Sequence, residues 1–260
     1  MLPLLPFALT QNERRRRCAT FYNTYPYRAV VALYASPKLP PIFQSGYLNA
    51  LNREMRRLIQ TLNAFDYTIL PASTWPFANE AIVNAQPRIV LISGHSFYGM
   101  IFFEDDAGGV PTDPSHFGTV DTLSNTFLNV TKLEVVLLMT CDSYSMVKDR
   151  EDENGSRVPN PLRDMTLENA VRPISILTWD GAVEDTAASD FVHGAVIAIN
   201  EMLAGRDRNL DRLFDAEFIF KRACNYFLEQ NHKLGVQGLP VLTTGGVDVP
   251  ATQLFPAPQS

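Results

Sequence analysis

The chain has 260 residues, 46% of them hydrophobic and 19% charged, with a net charge of −6. That length and balance suit one large globular domain, or one domain with two lobes. The acidic surplus argues against nucleic-acid binding through a basic surface. No uninterrupted apolar run approaches the roughly eighteen residues that cross a bilayer, so no membrane span is expected. Three cysteines (Cys18, Cys141 and Cys224) are too widely and irregularly spaced for a disulfide framework or a CxxC metal site. A reducing, cytoplasmic setting is the natural expectation.

In the first residues, "MLPLLPFALTQNERRRR", a short apolar run broken by Pro3 and Pro6 precedes the arginines. A secretory signal has the opposite order. Arg14 to Arg17 therefore read as a solvated charged extension, with nuclear import or contact with an anionic surface as the alternative. From residue 28 the pattern alternates. "RAVVALYA" is an apolar strand closed by the Pro-rich "SPKLPP". Leu48, Leu51, Met55, Leu58, Leu62 and Phe65 then recur at threes and fours, the spacing of one face of an amphipathic helix. "YTILPA" predicts a second strand, and residues 77–84 a short helix stopped by Pro87.

"RIVLIS" predicts a buried strand that runs into Gly94 and His95, and "GMIFFED" an arm returning from it. "TVDTLSNTFLNV" reads as a helix, and "LEVVLLMTCDS" as a buried strand reaching Cys141. "VKDREDENGSRVPNP" is the long polar, charged stretch expected to form a flexible loop or linker. "ISILTW" is another strand. In the helix after it, Ala188, Phe191, Val192, Ala195, Val196, Ile199, Met202 and Leu203 make a wide apolar stripe ending at Gly205. A further helix is expected over residues 209–230, and "LPVLTTGG" closes the chain with a last strand. Strands alternating with helices argue for an α/β sandwich on a mainly parallel sheet.

Two of those strands end in reactive side chains, His95 after "IVLISG" and Cys141 after "VVLLMT". Parallel neighbours in an α/β sheet end at one edge, where such folds present their chemistry. A thiol that gives its proton to an imidazole can attack a carbonyl carbon. Other cysteine chemistries fit less well. Residues 142–147 hold no arginine to clamp a phosphate, and no second cysteine lies nearby to form a redox pair.

The "SGH" after one strand, the "TCDS" after the next, and "ILTWDGAVEDTAASDFVHGAVIAINEMLAG" beyond the polar stretch resemble the caspase-like cysteine proteases. That group contains caspases, metacaspases and CHAT domains. The long third segment looks particularly like CHAT domains, and the tail "GLPVLTTGGVD…LF" is similar to the end of metacaspase small subunits. The resemblance spans residues 28–255 and implies a caspase-like α/β/α sandwich. Residues 1–27 would be an extension and 28–146 the large-subunit-like part with the His/Cys dyad. Residues 147–172 would be linker and loop, and 173–260 the small-subunit-like part of the same domain.

By position, the resemblance makes His95 the general base and acid and Cys141 the nucleophile. The family's oxyanion donors, backbone N–H groups of the nucleophile and of the residue after the histidine, would be those of Cys141 and Ser96. Where relatives have glycine this chain has Ser96, and Asp142 follows the cysteine, where a negative charge disfavours a thiolate. Those departures support an alternative, a catalytically silent caspase-like scaffold or partner-binding domain. An unrelated α/β hydrolytic or ligand-binding domain with an incidental His and Cys is a third reading.

Trp179 and Asp180 fall where the resemblance places substrate binding. In caspases the residue after that tryptophan is basic and favours acidic substrates, whereas Asp180 would pair with Arg or Lys in a protein or peptide substrate. Against this, Asp180 reads equally as an acid at the N-terminus of the helix that follows, and Glu184 and Asp185 read as capping acids there rather than as pocket residues. His116, His193, His232 and Cys224 read as structural or solvated. "EDDAGG" and "DREDEN" match no EF-hand loop and read as solvated acids, so no cofactor is expected, although many metacaspases use calcium.

Overall fold

The computed structural model describes residues 29–37, 50–64, 66–71, 74–97, 99–105, 109–204 and 213–256. Cys18, Arg14 to Arg17, Leu48, Phe65, residues 106–108 of "EDDAGG", Gly205 and residues 209–212 lie outside them. Among the described residues, the main sheet has seven strands. They are β1 (Val30–Ala35), β2 (Tyr67–Pro71), β3 (Ile89–Gly94), β6 (Val135–Met139), β9 (Ser175–Asp180), β10 (Leu239–Thr244) and β11 (Val247–Pro250). Their order across the sheet is β11-β10-β9-β6-β3-β1-β2. The first five in chain order are mutually parallel; β10 runs antiparallel to β9 and to β11. The expected α/β architecture with a mainly parallel central sheet is therefore present.

Helices cover both faces. The side chains alternate as a pleated strand requires. Val30, Ala32, Leu91, Val135, Leu137, Leu177 and Trp179 face α1 (Leu51–Thr61), α5 (Asp185–Leu203) and α6 (Ala216–Glu229). Val31, Leu33, Val90, Ile92, Val136, Leu138 and Ile176 face α2 (Trp75–Ala85) and α3 (Val120–Leu128). β3 and β6 are buried on both faces, which is why each reads as an unbroken apolar run. Each fully buried Val, Leu or Ile contributes about 1.5–3 kcal/mol of transfer free energy.

The predicted helices form with modest changes at their ends. The stripe from Ala188 to Leu203 is buried throughout on α5. α3 begins at a capping box in which Thr119 and Thr122 exchange side-chain-to-backbone bonds. α2 begins earlier than the pattern implies, at Trp75 with Pro76 in its first turn, and ends where Gln86 turns left-handed before Pro87. α6 begins at Ala216, capped by the Asp215 carboxylate on the N–H groups of Glu217 and Phe218.

The segment after β3 is a two-residue-per-arm hairpin, β4 (Ser96–Phe97) with β5 (Met100–Ile101). The polar stretch expected as linker is structured too. It forms the hairpin β7 (Arg150–Glu151) with β8 (Arg157–Val158) and then the short helix α4 (Pro161–Asp164). Asp152 accepts from the N–H groups of Asn154 and Ser156 at its turn, at 2.9 and 2.8 Å. Arg157 pairs with Asp149 and Asp164. Buried Asn160 donates to the carbonyls of Met146 and Lys148. The arms themselves are exposed, so the polar composition is met by water while local bonds shape the backbone.

Candidate active site

β3 and β6 are adjacent and parallel, with Ser93 opposite Met139. Two residues beyond each of these stand His95 and Cys141, so the segments that carry them leave the sheet from one level at its C-terminal edge. Within the strands, alternation gives Leu91 and Ser93 the same parity as Leu137 and Met139 on the neighbouring strand. Both members of the pair are partly exposed. Gly94 explains how the strand ends there. A Cβ at this position would stand 2.6 Å from the Ala35 carbonyl oxygen of β1, so only glycine lets the strands stay in register up to the histidine. The hairpin after it is anchored by the Phe102 N–H, which donates to the His95 carbonyl at 2.9 Å.

The turn carrying Cys141 is tied to both neighbouring strand ends. On the β3 side, the Ser96 hydroxyl donates to the Cys141 carbonyl. On the β9 side, the Asp142 N–H donates to the Gly181 carbonyl at 2.6 Å. Ser143 is fully buried: its hydroxyl donates to the Leu138 carbonyl at 2.7 Å and accepts from the Trp179 N–H at 3.0 Å. The Cys141 thiol makes a long contact, 3.9 Å, to the Val183 carbonyl oxygen. Asp142 adopts a left-handed conformation with φ +51°, one that aspartate tolerates better than most non-glycine residues. Its identity is accounted for by this turn, a local conformational reason that composition does not reveal.

Trp179 and Asp180 separate. The Trp179 ring is fully buried, packed 5.0 Å from Phe191 and 6.0 Å from Phe227 by ring centroids. Its expected place at a substrate surface is therefore not where the ring lies; strand alternation sends it into the core. Asp180, the next residue, is exposed and one step before Gly181, whose carbonyl holds the Cys141 turn. Its negative charge reaches Tyr144, whose hydroxyl donates to Asp248 at 2.8 Å. Burial first, and the hydrogen bond to Asp248 second, push the Tyr144 phenol up to about 12.

Of the three acids read at the N-terminus of α5, Glu184 occupies the N-cap and makes no side-chain capping bond. Asp185 instead accepts from the Ala50 N–H at 2.8 Å, at the start of α1. It joins two helix N-termini at the same sheet edge. Within that first turn of α1 lies Glu54, which is 2% exposed although it is an acid. One oxygen is 3.4 Å from the Ser93 hydroxyl, and the other has no hydrogen-bond partner among the described residues. The Tyr34 hydroxyl lies beside the carboxyl without the alignment of a hydrogen bond. Burial pushes the Glu54 carboxyl up to about 8, opposed by Ser93 and Tyr34 and reinforced by Asp185. Glu54 was missed in the sequence although a signal existed. It sits three residues after Leu51 and four before Leu58, inside the apolar stripe.

The residues read as structural have structural surroundings. His193 stacks edge-on to Tyr226 at 4.8 Å. His232 meets the Asp190 carboxylate at 2.9 Å, and Arg53 and Arg57 bind the same carboxylate. Burial alone would raise Asp190, but His232 and Arg57 hold it below the usual carboxylate range. Cys224 is fully buried, and burial pushes its thiol up. Among the described residues, no group of three His, Cys, Asp or Glu is placed to hold a metal ion. No helix among them is long and apolar enough to cross a membrane.

No family model matches the sequence, and no curated protein matches it. The structure is similar to the crystal structure of Caspase-1 from Spodoptera frugiperda, with 14% identity, a TM-score of 0.45, and coverage of 84% of this chain and 90% of that one. A likeness of that size carries no argument about chemistry, which rests on the residues at the sheet edge.

Proposed function

We propose that the protein is a caspase-like cysteine endopeptidase, of the CHAT or metacaspase kind, in which His95 activates Cys141 and Asp180 favours a basic residue before the cut. The observation that supports this reading is the β3/β6 register, which sets Ser93 opposite Met139, so that the segments carrying His95 and Cys141 start from one level at one edge. In the reaction, the imidazole of His95 takes the Cys141 thiol proton and Sγ attacks the scissile carbonyl carbon. The carbonyl electron pair moves to oxygen, which accepts hydrogen bonds from the N–H groups of Cys141 and Ser96. The imidazolium then gives its proton to the leaving amine as the C–N bond breaks. Water, deprotonated by His95, hydrolyses the thioester and regenerates the thiol.

The exposed carboxylate of Asp180, next to the residue that holds the nucleophile turn, supports preference for Arg or Lys. Trp179, being buried, takes no part in substrate contact here. One observation favours the silent-scaffold reading: the thiol's contact is the Val183 carbonyl, an oxygen that repels a thiolate. A peptide-library cleavage assay on the wild type, Cys141→Ala and Asp180→Asn separates the two. The peptidase reading expects cleavage after Arg or Lys, none with Cys141→Ala, and a selective loss on basic substrates with Asp180→Asn. Equal loss on basic and uncharged substrates removes Asp180 from the pocket. A wild type that neither cleaves nor labels at Cys141 with a thiol-directed peptide probe leaves the scaffold.

A further inference from the structure

The peptide unit joining Cys141 to Asp142 is held at both ends. In a trans peptide the C=O and N–H point in opposite directions. Here the carbonyl of Cys141 accepts from the Ser96 hydroxyl, on the β3 side, and the N–H of Asp142 donates to Gly181, on the β9 side. The strand order β9-β6-β3 gives this arrangement its sense. The backbone pairing of β3 with β6 ends at Ser93 opposite Met139, and that of β6 with β9 at Leu137 opposite Leu177. Past those points the two bonds to a single peptide continue the cross-link beyond the last ladder pairs. Cys141 and the left-handed Asp142 flank that peptide, so its orientation sets ψ of one and φ of the other.

We infer that Ser96 is a positioning residue for Cys141: its hydroxyl fixes the peptide that follows the thiol-bearing carbon, and thereby the direction in which the thiol leaves the backbone. This rests on the peptidase reading for its effect on turnover, though not for its effect on the thiol itself. Without the hydroxyl, the Cys141 carbonyl loses its donor and the peptide is held from the Gly181 side alone. A carbonyl free to rotate brings its negative end toward the sulfur, which opposes a thiolate. The threonine variant keeps a hydroxyl on the same carbon and should preserve the bond.

The test uses the full chain with Ser96→Ala, Ser96→Gly and Ser96→Thr. Alkylation of Cys141 by iodoacetamide is followed against pH by peptide mapping, which resolves it from Cys18 and Cys224. Melting temperature is recorded for each variant, and kcat and KM on Arg and Lys peptides where turnover is present. In Ser96→Ala and Ser96→Gly, Cys141 alkylation at pH 7 should slow about threefold or more. kcat should fall about tenfold with KM little changed, since the loss is one of orientation. Ser96→Thr should restore both. Folded alanine and glycine variants with the wild-type alkylation profile would overturn the inference, as would a threonine variant no better than alanine. Should alanine fail to fold, glycine and threonine carry the same comparison. An altered alkylation profile in a wild type that cleaves nothing keeps the clamp and removes the peptidase.

Discussion

Replacing Glu54 with glutamine should make the protein more stable at alkaline pH and leave it nearly unchanged in acid. Glu54 is 2% exposed and, among the described residues, has one oxygen unpartnered and the other 3.4 Å from the Ser93 hydroxyl. Arg57, one turn along α1, is occupied by the Asp190 carboxylate and the Ser189 carbonyl. Asp185, facing the same corner, is a second negative charge rather than a partner. The carboxyl is accordingly raised from 4.5 to about 8. A raised acid keeps its proton in the folded state where the unfolded chain has lost it. The folded state then binds more protons than the unfolded one between those two values, and stability falls as pH rises across that window.

Each unit of pKa difference corresponds to about 1.36 kcal/mol, so the full excursion is on the order of 5 kcal/mol, an upper bound that local relaxation lowers. Glutamine keeps the shape, still offers a donor and an acceptor, and does not titrate. Urea unfolding of wild type and Glu54→Gln at pH 5, 6, 7, 8 and 9 gives the difference directly, since other titrating groups cancel between the two proteins. The expected difference is near zero at pH 5 and grows to about 2–5 kcal/mol in favour of glutamine at pH 9. A difference independent of pH would refute the reasoning, because it would mean that Glu54 is ionised in the fold across the whole range.

Two further outcomes follow from the turn and the hairpin. Asp142→Asn and Asp142→Gly, which both tolerate φ +51°, should keep the melting temperature, while Asp142→Ala should cost about 1 kcal/mol in urea unfolding; a tolerated alanine would show that the charge, not the conformation, selects aspartate. If the chain cuts itself in the exposed β7–β8 region, the site should be Lys148. Arg150 is bonded to the Ser145 carbonyl at 2.7 Å and Arg157 to two aspartates, and only the Asp142–Val147 turn separates Lys148 from Cys141. Such a cut has to occur between molecules, so the fragment should appear at a rate that rises with protein concentration and vanish in Cys141→Ala, as read by mass spectrometry. Concentration-independent release, or ends at Arg157, would contradict this.

The central strands were legible because β3 and β6 are buried on both faces and so leave no polar residue to obscure the run. The α5 stripe was legible for the opposite reason: its period of 3.6 survives over 19 residues. Trp179 and Asp180 show where a motif stops being enough. Adjacent in the sequence, they point to opposite environments because a strand alternates, and no motif states which of two neighbours faces the core. The polar stretch was legible as a solvated segment but not as a hairpin, for another reason. Composition reports that water solvates the arms, but not that Asp152, Arg157 and Asn160 hold a hairpin with bonds to its own backbone and neighbours. Glu54 escaped, and so did the hydroxyl bond of Ser96, a residue singled out only for its backbone N–H, because their partners, Ser93 and the Cys141 carbonyl, are distant in sequence and belong to other elements.

The same two strands that carry His95 and Cys141 are locked at their other end by a buried ion pair. Arg88 immediately precedes β3, Glu134 immediately precedes β6, and the register sets Ile89 opposite Val135. The two charged residues are thus level, and their side chains meet within the protein, at 6% exposure each. Glu134 also accepts from the N–H groups of Leu213 and Phe214 at 2.9 and 2.7 Å, which anchors the approach to α6. Buried pairs of this kind contribute little net stability, because desolvation offsets most of the attraction, but a misplaced partner leaves a charge unpaired at a cost of several kcal/mol. That asymmetry suits a register device. A slip of β6 against β3 by one residue would separate Arg88 from Glu134 and turn every side chain of β6 to the other face. It would also shift the segment carrying Cys141 along β3 by one residue. The charged pair at the bottom of the sheet therefore penalises slips between the two strands whose upper ends lead to His95 and Cys141.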